Sequence, residues 1–457
     1  MLIIALAAVL VAAAFALIAC GDGGGESPRR TSGGLSGPQD RVNVVMWHSM
    51  TATTEASLTS IADEFNASQT KYHVTLVRQG GYSESFVKLR SSDPGDYPAL
   101  VQLSDQFTQI MIDSKVATPI QDFVDQESYD LSDFEPKAIN YYSVDDTLYA
   151  MPFNIAGPIL YYDRQAFKDA GLDPDRPPRT LEEVRQYSER LVQRNDNGEV
   201  TRAGIALWVS PWIFEQMLAK QGALVVNNAN GRTERATKAV FAGPEGKGII
   251  EWWDQMLNDG LATYTGRSAQ DALLQVASGR ASMTIASTAV LQGAILAVTI
   301  IGDDPNRIGT GPMPAPEGQN GGITLGGAAF WVLNDRPDEE QQGAWEFIKF
   351  ASSPQQQARW HADTGYMPSR VSAFDLPAAV QKREQYPQFA TAIEQLRDSP
   401  DNPATNGALL GPFNAVRDQI SRAFEQVLSG NADPDAALEA AAEAADKDID
   451  EYNRTAP

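Results

Sequence analysis

"RVNVVMW" (Arg41–Trp47), "TEASLTSIADEFNAS" (Thr54–Ser68) and "YHVTLVRQG" (Tyr72–Gly80) decide the fold between them. The first run is β-branched and ends in an aromatic, a composition that suits a half-buried strand. In the second, Leu58, Ile61, Ala62 and Phe65 recur at the spacing of one helix face. The third alternates again and stops at Gly80-Gly81. Strand, helix, strand is a βαβ unit, and such a unit implies parallel strands in an α/β fold.

Working outward, "PALVQLS" (98–104) predicts a third strand. "LYAMPFN" (148–154) and "PILYYDRQAF" (158–167) predict extended segments on either side of a crossing between two lobes. Helical patterns dominate from 180 to 300, interrupted by the short strand "ASMTIAS" (281–287). "GGAAFWVLN" (326–334) is a late apolar strand, followed by a pair of helices and an alanine-rich acidic helix at the end. Strands recurring early and late imply two α/β lobes, crossed more than once by the chain, with a cleft between them. The expected partition is 41–150 with about 305–355 in lobe 1, and 151–304 with about 356–457 in lobe 2.

The 457 residues are enough for two or three domains. With 59 acidic against 36 basic residues and a net charge of −23, the chain is a poor partner for nucleic acid, whose phosphates would repel it. The N-terminal "MLIIALAAVLVAAAFALIAC" is apolar throughout and ends at Cys20, the single cysteine. The residues around it match a bacterial lipobox: a signal peptide over 1–19, cleaved before a Cys20 that is then lipidated. A membrane-spanning anchor is the alternative for the same segment. Residues 21–40 are rich in Gly, Ser and Pro and read as a linker. Either way the body of the protein is exported and held at the outer face of the cell membrane.

Chemistry-bearing motifs are missing: no G-x-S-x-G, H-E-x-x-H, P-loop or C-x-x-C occurs. His48, His73 and His361 lack neighbours suited to a metal site, so neither a metal nor a cofactor is expected. A pair of glycosidase carboxylates leaves no local signature, so an exported glycosidase or phosphodiesterase stays open as a remote alternative.

Several segments in order carry a resemblance: "WHSM" (47–50), "PFN" (152–154), "PILYYDRQAFKDAGLDPDRPPRTLEEV" (158–184), "MTIAS" (283–287), "GGAAFWVL" (326–333) and "WHADTGYMPSR" (360–370). Together they resemble the family 1 extracellular solute-binding proteins of ABC importers, most of all the glycerol-3-phosphate-binding subgroup. The resemblance implies a type II periplasmic-binding-protein fold, with two lobes hinged about an interlobe ligand cleft. It also implies a membrane permease as partner, a monomeric receptor and no enzymatic activity.

Residue by residue, the resemblance assigns the phosphate end of the cleft to Arg417 in "GPFNAVRDQ", with Tyr366, Ser287 and the backbone N–H of Gly327. A guanidinium is planar, permanently charged and bidentate to phosphate. The polyol end falls to Tyr82 and Asp105, the latter standing where a Glu is usual, with Trp208 and Trp212 as stacking faces. Where the subgroup has hydroxyl residues after "PFN", this chain has Ile155, Ala156 and Gly157. Fewer donors favour a phosphodiester such as glycerophosphocholine over glycerol 3-phosphate, and a neutral sugar or oligosaccharide remains the alternative ligand.

Overall fold

The computed structural model describes residues 41–319 and 321–456. The expected signal peptide, Cys20 and the linker lie outside the described residues. Strand β1 (Val42–His48), helix α1 (Ala52–Ser68) and strand β2 (Tyr72–Arg78) form the βαβ unit, with β1 and β2 parallel from Val42 opposite Tyr72 to His48 opposite Arg78. Helix α1 buries Leu58, Ile61, Ala62 and Phe65, the four residues of its apolar stripe. Helix α2 (Tyr82–Ser91) leads to β3 (Leu100–Ser104), which adds in parallel to the other side of β1. Two further strands of this sheet follow, the short β4 (Ala117–Thr118) and β5 (Met151–Ala156).

The chain then crosses. Strand β6 (Pro158–Asp163) starts a second sheet, joined by β7 (Ile205–Leu207), helix α3 (Pro211–Lys220), β8 (Ala262–Tyr264), β9 (Met283–Ser287) and β10 (Ile308–Pro312). Its spatial order is β8-β7-β9-β6-β10. Strand β11 (Gly326–Leu333) returns to the first sheet, where it lies antiparallel to β3, β4 and β5. Helices α4 (Pro354–Thr364), α5 (Phe413–Leu428) and α6 (Pro434–Thr455) follow. The result is mixed α/β, with two mixed sheets in separate lobes, as expected. One apolar cluster runs from the first sheet onto one face of the second, another fills the second sheet's other face, and Trp208 packs against both.

Three segments sit on the opposite side from the expected partition. Strand β5, expected to open lobe 2 at 151, pairs with β11 in the first sheet. Strand β10, assigned to lobe 1 with 305–355, pairs with β6 in the second. Helix α4, assigned to lobe 2, packs on α1: Arg359 bonds Glu64 and Ser60, and Ser57 Oγ donates to Asp363. Its Trp360 rests on Phe153 of β5, ring centroids 4.7 Å apart. For β5 the reason is its burial, while β10 and α4 are placed by partners far along the chain. Strands β5 and β6 are buried at every position, so both read as unbroken apolar runs, and only distant pairing partners choose between sheets.

Candidate functional site

Helix α3 supplies the first clue. Ser210 caps it by accepting from the Ile213 N–H, Pro211 occupies its first turn, and every residue from Ile213 to Ala219 is buried. That run includes Glu215. A carboxylate in so apolar a setting needs a cation, and α5 brings Arg417. The Arg417 Nε and Nη2 donate to the two carboxylate oxygens of Glu215, each at 2.7 Å. Nη2 also donates to Asp105 Oδ2 at 2.9 Å, and Nη1 to the Gln106 side chain. Phe413, one turn earlier on α5, lies 4.3 Å beneath the guanidinium.

Asp105 and Gln106 follow β3 in the first lobe, whereas Glu215 and Arg417 belong to helices of the second. One guanidinium therefore ties the lobes across the cleft. Burial alone would weaken its hold on the proton, but Glu215 and Asp105 reverse this and raise it above the ordinary arginine value. Burial pushes the Glu215 carboxyl up, against the pull of Arg417. One cation here faces two carboxylates.

A neutral network lines the first-lobe wall. The Ser49 N–H donates to Gln102 Oε1 at 3.3 Å, Gln102 Nε2 to Asn154 Oδ1 at 2.7 Å, and Asn154 Nδ2 to the Tyr82 hydroxyl at 3.2 Å. The Tyr366 hydroxyl adjoins both Tyr82 and Asn154. Burial, with Tyr366 and Asp105 nearby, drives the Tyr82 phenol well above its usual pKa, so it stays a neutral donor.

The end of α4 places Tyr366. Gly365 ends the helix at φ 90°, a left-handed conformation that glycine adopts without strain. His361 Nδ1 donates to the Tyr366 carbonyl at 2.7 Å, and Trp360 stacks on the Tyr366 ring. Burial lowers the His361 pKa to about 4, so the folded protein holds it neutral. The unfolded chain protonates this histidine near 6.5 and the native state only near 4, so its contribution to stability is complete above 6.5 and is lost as pH falls through that window. Acidification from pH 7 to 5 is expected to cost the wild type about 2 kcal/mol from this residue alone. Denaturant unfolding of His361→Asn should show a correspondingly shallower dependence between those pH values; an unchanged slope would overturn the assignment.

The remaining expected residues divide. Ser287 accepts from the Ala289 N–H at 3.1 Å, which leaves its own O–H to donate. Trp208 is anchored by an Nε1–H bond to the Ile285 carbonyl at 2.8 Å. Trp212 lies against Gly326 of β11, where an added Cβ would come within 2.7 Å of the indole. Gly327 has φ 110°, and a Cβ there would stand 2.0 Å from the Asn154 carbonyl oxygen. The neighbouring strand β5 thus demands glycine here. The indole Nε1 of Trp212, the Ser49 and Ser104 hydroxyls and the Tyr142 hydroxyl are buried without a partner among the described residues. Such groups cost about 1–3 kcal/mol each until a partner is found, and a polyhydroxy solute supplies partners.

The grouping also differs from expectation. The resemblance set Arg417 with Tyr366 at one end and Asp105 with Tyr82 at the other. Instead Asp105 is bound to Arg417, and Tyr366 adjoins Tyr82. The ion pair explains this: a buried guanidinium takes the nearest carboxylates, whichever lobe they come from. Glu215, Gln106 and Asn154 went unnoticed in the sequence. Glu215 carried a signal as the one charge within the apolar run 213–219, and Asn154 stands within the "PFN" motif itself.

Two α/β lobes, joined by a cross-cleft ion pair and lined with buried hydroxyls, amides and indoles, define a receptor for a small polar solute. The profile of the bacterial extracellular solute-binding proteins matches residues 60–390. The chain is 30% identical to the sn-glycerol-3-phosphate-binding periplasmic protein UgpB of Shigella flexneri, covering 90% of this chain and 93% of that one. It is 29% identical to UgpB of Escherichia coli K12 over the same shares. Among solved structures, UgpB of Mycobacterium tuberculosis in complex with glycerophosphocholine superposes with a TM-score of 0.76 at 21% identity, covering 92% of this chain and all of that one. The GacH receptor of Streptomyces glaucescens, studied with acarbose, follows at a TM-score of 0.73, 18% identity and coverages of 90% and 99%. This chain belongs to the bacterial extracellular solute-binding proteins. It is a solute-binding component of the ABC-transporter type and not an enzyme.

Proposed function

We propose that the protein captures a glycerophosphodiester, of which glycerophosphocholine is the type, and hands it to the permease of an ABC importer. The observation that carries this reading is Arg417 at the lobe junction, held by Asp105 and Glu215. A phosphate monoester would bring two charges to a site where one cation already faces two carboxylates. A diester brings one, and a diester with a cationic head is neutral overall. An arriving diester would exchange with Asp105 on the guanidinium, freeing that carboxylate to accept from the glycerol hydroxyls. Tyr82, Tyr366, Ser287 and the unpartnered Trp212 Nε1 supply further donors around it, with Trp208 packed behind. Lipidation of Cys20 would tether the receptor at the outer face of the cell membrane, and a monomer would leave both lobes free to close and dock.

Calorimetric titration with glycerol 3-phosphate, glycerophosphocholine and a panel of disaccharides tests the reading. Glycerophosphocholine is expected to bind most tightly, and Arg417→Lys, which keeps the charge but loses the planar fork, to weaken it at least tenfold. Binding of a neutral sugar alone, undisturbed in Arg417→Lys, would make the receptor a sugar receptor and the ion pair purely structural.

A further inference from the structure

We propose that the natural solute carries a single aliphatic chain, and that this chain lies in an apolar groove leaving the cleft past Tyr82 and Tyr366. The inference rests on the glycerophosphodiester reading for the head of the ligand and extends it to the tail.

The groove encloses about 520 Å³, within the range of small-molecule sites. Tyr82 and Tyr366, the two phenols that sit with Asn154, also line this groove, so the groove and the neutral network share both side chains. The first lobe contributes Met50 and the start of α1; the second contributes Leu273, Leu274, Ala277 and Val290. Besides the two phenols, its polar side chains are Ser49, the threonines around the α1 start, Gln270 and Asp271. Leu274 is half exposed on this wall, an apolar surface left facing water. At Gly293, which also lines the groove, an added Cβ would meet nothing within 4 Å. The helix around Gly293 therefore leaves room where a larger side chain would fill it.

A purely hydrophilic diester would leave these walls wet. A monoacyl or monoalkyl glycerophosphodiester would cover them. Because the walls come from different lobes, the chain would touch both at once and favour the closed form over an open one.

The test titrates the full chain with glycerophosphocholine and with its monobutanoyl, monohexanoyl and monooctanoyl esters, all below micelle-forming concentrations. Affinity is expected to climb by up to about fourfold for each methylene that the groove covers, then level off once the groove is full. Gly293→Phe, which fills the groove, and Leu274→Asp, which makes its wall polar, should each flatten that climb. Equal affinity across the series overturns the proposal while leaving the diester reading intact. So does a climb that persists undiminished in both variants, since the chain would then lie elsewhere. Failure of every phosphodiester, with a disaccharide binding instead, overturns the head-group reading and the tail with it.

Discussion

Replacing Arg417 with alanine is expected to lower the unfolding free energy by about 3–5 kcal/mol, the range for removing one partner of a buried ion pair. The guanidinium is buried, and Glu215 and Asp105 on either side are buried with it. Without it two carboxylates face each other in an apolar cleft with no cation between them. Their response is to take up protons, so their pKa values rise in the folded variant. A raised native pKa means stability that is present at low pH and lost as pH climbs through it. The deficit of Arg417→Ala should therefore be largest near pH 8 and shrink toward pH 5. Urea unfolding at the two pH values measures this. Adding Glu215→Gln to the variant is expected to recover part of the loss, because it removes one of the stranded charges. A deficit below about 1 kcal/mol at pH 8 would mean that water reaches the carboxylates and that the pair is not buried in solution.

Gly327→Ala carries the second large effect, roughly 2–6 kcal/mol. Two costs combine. At φ 110° an alanine is in a region that L-residues rarely enter, worth about 1–3 kcal/mol. Its methyl would also be driven to 2.0 Å from the Asn154 carbonyl, so β5 and β11 would have to part, at a cost typical of overpacking, about 1–3 kcal/mol. The consequence reaches the site, since Asn154 bonds Tyr82 and Gln102 through its side chain. Thermal unfolding should show a drop of several degrees, accompanied by weaker solute binding. An unchanged midpoint would show that the strand pair relaxes freely at the β5–β11 bulge next to Ala328.

Much of the site's chemistry was legible because its residue types are rare in their settings. Tyr366 follows a glycine at a helix end, and its placement by Gly365, Trp360 and His361 follows from rules that act within a few residues. Arg417 was singled out through resemblance, and in the structure it bonds Asp105 of one lobe and Glu215 of the other. Its partners were not legible. Glu215 lies 202 positions away and Asp105 lies 312 away, and no local pattern announces which carboxylates a distant cation will meet.

The same divide runs through the fold. The βαβ opening, the apolar stripe of α1 and the alanine-rich final helix were set by periodicities of two and 3.6 residues, which need only neighbouring side chains to be read. The assignment of β5, β10 and α4 to their lobes came from pairing and packing with segments far along the chain, and in β5 burial at every position also erases the alternation that would mark a side. The lobes and their strands were therefore written locally. The crossing points, the ion pair that spans them and the groove beside Tyr82 and Tyr366 arose only when long-range contacts brought two half-sites together.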